Sequence, residues 1–298
     1  MERIVDWLRG VRVQFLSLSV VLVFLGTSIA VSEGLHNPGY SVLALLGLLL
    51  LHASVNLLND YSDYHSGIDF ATNATPFSGG SGMLIAGRIA PSAALCVGIA
   101  CVVVNIVIGL YFVKVTNWQL MPLLLVGVFT VCCYTDVLAR CTLGEIFAGL
   151  GLGLLPVLGC YFIQVGHYSA KAFVAGIPAG LLTFNLLLLN EFPDYPADCK
   201  GGRKNLLMLL GVERAGRLYA FVMALVYISI ATGVVLHLIP GYCLLGLLTI
   251  PVALKSIKWA WNHTNDLGTV IPALQANVIA NLGTQTLLGV GFLVSSQG

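Results

Sequence analysis

The chain has 298 residues, of which 58% are hydrophobic and only 9% charged, with a net charge of +1. A soluble domain carries about 25% charged residues, so a water-facing surface cannot be built from this composition, and the near-zero net charge gives no footing for nucleic acid. The apolar residues come in runs of about 18 or more, the length that crosses roughly 30 Å of hydrocarbon.

In chain order the apolar runs fall at 13–31, 40–58, 92–113, 118–135, 143–165, 172–190, 216–238, 241–255 and 273–295. All nine are expected to be helices, because backbone exposed to lipid must satisfy its own hydrogen bonds. The first run is too long for a signal-peptide core and lacks a cleavage site, so it is expected to be retained. The eighth is short and carries Pro251, and the ninth begins near Pro272. No Pro- or Ser-rich linker divides the chain, so residues 1–298 are expected to form one domain. The fold class is all-α, a polytopic membrane bundle. The eight cysteines show no zinc-like spacing and are expected to be small apolar packing residues.

Lys and Arg orient the bundle. Alternate loops, counted with the N-terminus, hold 12 of the 14 basic residues, and the other set holds Lys114 and Lys171. The basic set is therefore expected to be cytoplasmic. It includes two long polar loops, at about 59–91 and 191–215.

Those two loops carry the chemistry. The first opens with Asn56, Asn59, Asp60, Asp63 and Asp69; the second holds Asn190, Glu191, Asp194 and Asp198. Residues three or four apart share one face if the helices continue, although Pro193 and Pro196 are expected to interrupt the second. Six of the thirteen carboxylates lie in these two stretches. Clustered carboxylates repel unless a cation neutralises them. Oxygen-only donors suit Mg²⁺ or Ca²⁺ rather than zinc, and Mg²⁺ completes its shell with water and phosphate oxygens. Two such clusters on one membrane face predict a Mg²⁺–diphosphate site, with Asn59, Asp60, Asp63, Asp194 and Asp198 as metal ligands.

Basic residues follow each cluster: Arg88 after the first, then Lys200, Arg203 and Lys204 after the second. Arg88, Lys200 and Lys204 are candidate diphosphate contacts, though charge bias toward one membrane face also accounts for them. The segment Pro76–Gly82 is Gly-rich but is no P-loop, since no Lys follows in register. Tyr134, Asp136, Arg140 and Glu145 border the fourth and fifth runs, and Tyr134 is a candidate contact for the diphosphate or an allylic cation. Glu145 is either a cap or a site residue. Asn105, Asn185, Asn277 and Asn281, inside spans, are expected to make interhelical hydrogen bonds.

Asn56-x-x-Asn59-Asp60-x-x-Asp63 followed by Asp194-x-x-x-Asp198 resembles the UbiA superfamily of intramembrane aromatic prenyltransferases, over essentially the whole chain. Asn59-Asp60-Tyr61-x-Asp63 with Gly67-x-Asp69, Phe77–Gly82, Tyr134-Thr135 and Gly144-Glu145 resemble its menaquinone branch, the 1,4-dihydroxy-2-naphthoate polyprenyltransferases. Two positions depart from the pattern. Gly67 stands where many members have Asp, and Pro193 interrupts a motif that often reads Asn-x-Arg-Asp. The resemblance implies nine helices around a central cavity in a prokaryotic plasma membrane. It implies Mg²⁺ gripping a prenyl diphosphate at the cytoplasmic face, the tail in a lipid-facing groove, and an aromatic acceptor. The same chemistry on 4-hydroxybenzoate, homogentisate, haem or glycerol phosphate is the alternative within the superfamily, and a cation transporter is the alternative outside it. None of these features speaks to oligomeric state.

Overall fold

The computed structural model describes residues 2–72, 75–134, 137–262 and 269–297. Thr135 and Asp136 lie outside the described residues. The short helix α1 (Glu2–Gly10) precedes the first span, and its Trp7 packs against Leu57, Leu84 and Ile89. Next come a 3-10 turn, Val13–Leu16, and α2 (Ser17–Val31). Helix α3 (Pro38–Ser66) starts where Asn37 accepts a hydrogen bond from the Tyr40 amide and Pro38 takes the first helical position. Then follow α4 (Ile68–Ala71), α5 (Pro91–Val115), α6 (Met121–Cys133), α7 (Gly144–Gly149), α8 (Leu155–Val165), α9 (Ala170–Gly201), α10 (Leu206–Leu210), α11 (Val212–Val235), α12 (Ile250–Asn262) and α13 (Val270–Ser295).

Among the described residues, eight helices are long and apolar enough to cross a bilayer, and Trp118–Cys133 is a shorter apolar ninth. The expected architecture therefore holds, and the structure corrects its boundaries. Helix α3 runs about two turns past the expected end at residue 58, and α9 runs past 190 through both Pro193 and Pro196. The long loops expected at 59–91 and 191–215 are thus helical over their opening turns. Prolines persist inside membrane helices because neighbouring groups satisfy the carbonyls they free. Pro272 sits in the first turn of α13, where a proline removes no hydrogen bond, and Pro251 stands where the 3-10 stretch Gly241–Thr249 passes into α12.

Helix α9 is the hub. Its Ala172, Ala175, Ala179, Leu182, Leu188 and Leu189 are all fully buried. Lipid offers no hydrophobic drive between helices, so close packing of small residues must hold them. A Cβ on Gly153 would stand 2.7 Å from the Ala179 oxygen and from the Gly180 Cα, so the segment crosses α9 with backbones nearly touching. That crossing lies at a π-turn, Leu150–Leu154, where α7 passes into α8. Tyr219 bonds Ser256 and Asn277, and Asn185 bonds the Tyr219 carbonyl, tying α9, α11, α12 and α13 together. Asn105 donates to the Gly47 carbonyl at 2.6 Å, joining α5 to α3. These three asparagines bridge helices, as expected. Asn281 does not: its amide bonds Gln285 on its own helix.

Candidate active site

The last turns of α3 present Asn56, Asn59 and Asp63 to a central chamber enclosing about 1700 Å³ of empty space, its open mouth included. The end of α9 presents Asn190, Glu191, Asp194 and Asp198 to the same chamber. Because α9 stays helical through Pro193 and Pro196, Asp194 and Asp198 fall one turn apart on one face. Gly67 ends α3 at φ +81°, a left-handed conformation suited to glycine. That turn lets α4 fold back and bury Asp69 in the chamber wall.

Two arginines hold the clusters. Arg203 Nη2 donates to both oxygens of Asp63, at 2.6 and 2.5 Å, and to Asn59 Oδ1 at 3.1 Å, while its Nη1 lies 3.5 Å from Asp198 Oδ1. One guanidinium therefore spans both motifs. Burial opposes the charge on Arg203, but Asp63 and Asp198 hold it protonated and push its pKa up. Arg12 pairs with Asp60, which is 1% exposed. Arg12 has φ +52° without being glycine, an uncommon conformation that local contacts must enforce. Asn56 supplies one of them, donating to the Val11 carbonyl at 2.8 Å.

The Gly-rich segment closes the chamber from above. The Gly79 amide donates to Asp194 at 3.0 Å, and the amide and hydroxyl of Ser81 donate to Asp60. This loop thus ties α3 to α9 as well. Gly80 lies against Asp69: a Cβ there would meet the Asp69 Oδ1 at 2.2 Å. Burial, followed by the charges of Asp63 and Asp60, pushes the Asp69 carboxyl up to about 7.

The structure sorts the expected site residues. Asn56, Asn59, Asp63, Asp69, Tyr134, Asp194 and Asp198 line the chamber, and Asp60 backs it through Arg12 and Ser81. Arg88, Lys200 and Lys204 are exposed and line no part of it. Arg203 and Arg12 are the arginines that do line it. Glu145 is fully buried and accepts the Leu206 amide at 2.6 Å, so it anchors α10 rather than lining the chamber.

Asn190 Oδ1, Glu191 Oε2, Asp194 Oδ1 and Asp198 Oδ1 are buried and make no hydrogen bond. Asp198 Oδ1 faces Arg203 Nη1, and the other three oxygens could accept a hard cation. Among the described residues, no three His, Cys, Asp or Glu already form a metal cage; the two guanidiniums balance the carboxylates instead.

The family model for the UbiA prenyltransferase family matches residues 19–269. The chain belongs to the UbiA prenyltransferase family. The 1,4-dihydroxy-2-naphthoate octaprenyltransferase of Bacillus subtilis (strain 168) is 27% identical over 283 residues, covering 94% of this chain and 89% of its own length. The enzyme of that name from Escherichia coli (strain K12) is 26% identical over 301 residues, covering 97% and 95%. The structure of a UbiA homolog from Archaeoglobus fulgidus bound to DMAPP and Mg²⁺ superposes with a TM-score of 0.66 at 16% identity, covering 97% of this chain and 99% of that one.

An apolar groove lies beside the chamber. It holds about 780 Å³ of empty space and runs between α3, α5, α6 and α8. Leu48, Ile108, Phe112, Leu124 and Ile163 line it, and Leu51, Gly127 and Gly151 belong to both spaces. The polar side chain in its lining is Asn105, whose amide is already committed to Gly47.

Proposed function

We propose that this UbiA-family prenyltransferase moves a polyprenyl group from a prenyl diphosphate to 1,4-dihydroxy-2-naphthoate, at the cytoplasmic face of a prokaryotic plasma membrane. The observation that carries the reading is the single Arg203 guanidinium bridging Asp63 of the first motif and Asp198 of the second. It supports one shared anion chamber rather than two separate acidic helix ends. The naphthoate acceptor rests on the relatives of that name.

Asn59, Asp60, Asp63, Asp194 and Asp198 would hold Mg²⁺, and the buried Asp194 Oδ1, which makes no hydrogen bond, fits that role. Bound there, Mg²⁺ would neutralise charge on the leaving diphosphate. Arg12 and Arg203 then serve the same charge: displaced from the carboxylates, each can turn its fork onto phosphate oxygens. The Gly79 and Ser81 amides hold Asp194 and Asp60 in place through the change. The apolar groove takes the tail and keeps the allylic carbon away from water. Carbon–oxygen cleavage leaves the electron pair on diphosphate. The electron-rich acceptor ring attacks the allylic carbon, and loss of the ring substituent as carbon dioxide and a proton restores aromaticity.

The test is turnover by purified protein in nanodiscs, given dihydroxynaphthoate, labelled prenyl diphosphates and either Mg²⁺ or a chelator. A prenylated naphthol mass that disappears with the chelator is expected. Prenylation of 4-hydroxybenzoate or homogentisate in its place would overturn the acceptor. Asp63→Ala and Asp194→Ala should each abolish turnover at unchanged expression, and activity retained in both would remove the metal assignment.

A further inference from the structure

Below the charged cluster the chamber wall turns apolar, with Leu18, Val55, Leu152, Leu186, Val278 and Leu282 in its lining. Polar side chains interrupt that lining, among them Thr130, Thr183, His52 and Asn281. Thr130 and Thr183 spend their hydroxyls on the carbonyls of Val126 and Leu152, both at 2.8 Å. His52, on α3, holds its Nδ1 against Ser19 Oγ at 3.1 Å. Asn281, on α13, is fully buried and lies one turn from Val278 on the same chamber-facing side. Its Oδ1 accepts from Gln285 at 2.7 Å, and its Nδ2, like the Gln285 Oε1, has no partner. Exchanging the amide's oxygen and nitrogen would still leave one polar end of Asn281 unbonded. A buried amide group without a partner is costly, so native proteins retain few of them without a reason.

We infer that Asn281 is the residue that reads the aromatic acceptor, through a hydrogen bond from its free amide end to an oxygen substituent of the ring. This rests on the prenyl-transfer reading and adds the acceptor's position to it. The ring lies flat in the apolar lower chamber, below the allylic carbon, and the Asn281 bond fixes which ring carbon faces that carbon. His52, backed by Ser19, lines the same chamber. The upper cluster handles diphosphate and contributes nothing to this choice. Asn281 is therefore a positioning residue, and its loss separates the two substrates kinetically.

The test compares Asn281→Leu and Asn281→Ala with the parent protein in nanodiscs, varying each substrate in turn. The acceptors are 1,4-dihydroxy-2-naphthoate and analogues lacking one oxygen function each, 1-hydroxy-2-naphthoate, 4-hydroxy-2-naphthoate and 1,4-naphthalenediol. Losing one hydrogen bond to the acceptor should raise its KM about tenfold or more. The KM for prenyl diphosphate should stay within about twofold, because uniform binding of that substrate is untouched. One truncated analogue, the one lacking the oxygen that Asn281 holds, should be insensitive to the substitution. An unchanged acceptor KM in both variants, equal losses toward both substrates, or equal losses toward every acceptor would overturn the inference. Should one variant fail to fold, the other decides by the same split. A parent protein that prenylates a different ring would defeat the naphthoate reading alone, and the Asn281 split would then be measured on that ring.

Discussion

At the scale of single residues, the cations divide into those that touch the site and those that do not. Arg203 makes four contacts of 3.5 Å or less with Asn59, Asp63 and Asp198, whereas Lys200 and Lys204, a few positions away, point to solvent. An ammonium cannot reproduce a planar fork. Arg203→Lys should therefore lower kcat/KM by about tenfold or more. Lys200→Ala and Lys204→Ala should leave it within about twofold, since exposed charges contribute little. Steady-state kinetics on the three variants checks this. Asp69 adds a pH signature. Its carboxyl titrates near 7 in the folded chain and at its ordinary 3.8 when unfolded. Between those values the folded state holds the extra proton, so the contribution of Asp69 to stability is fully present below about 4 and is lost as pH rises to about 7. In the presence of a chelator the melting temperature should fall over that window, and Asp69→Asn should flatten the decline.

Single elements set the geometry that these residues exploit. The continuation of α3 to Ser66 stacks Asn56, Asn59, Asp60 and Asp63 along successive turns. A break at residue 58 would have scattered them. The two prolines near the end of α9 leave its final turns intact, which keeps Asp194 and Asp198 on one side. Between α6 and the π-turn before α8, Gly127 and Gly151 line both chamber and groove, where a neck joining the two is expected. A Cβ on Gly127 would meet nothing within 4 Å, so the neck has open space beside it and a larger side chain would fill the passage. Gly127→Phe should cut turnover of long prenyl diphosphates by about tenfold or more while sparing dimethylallyl diphosphate, the discrimination a shape-limited apolar passage can deliver. Product masses from a mixture of chain lengths read the outcome directly. Loss of the short substrate as well would show that the passage is not the tail's route.

For the whole molecule, the bundle gathers its two acidic motifs at one end. The lysine and arginine bias predicts that this end is cytoplasmic. Cys199, exposed between Asp198 and Lys200, reports on it. A chain keeping only that cysteine should react with a membrane-impermeant maleimide in inside-out vesicles and not in intact cells. Labelling from outside would invert the topology.

The amino-acid sequence by itself determined the membrane class, the nine apolar segments and the two acidic motifs. Those properties depend on composition and on spacing along one helix, which are local. It also exposed the family, because Asn59-Asp60-x-x-Asp63 and Asp194-x-x-x-Asp198 are contiguous patterns. Tertiary structure alone decided which cation serves which acid. Arg12 and Asp60 are 48 positions apart, and Arg203 and Asp63 are 140 apart. No periodicity encodes contacts at such separations. The same holds for Asn281, whose sequence context is that of any interhelical asparagine. Its free amide end emerges only when the packing of α9 and α13 leaves a chamber beside it, because whether a buried polar group finds a partner is settled by its neighbours in space.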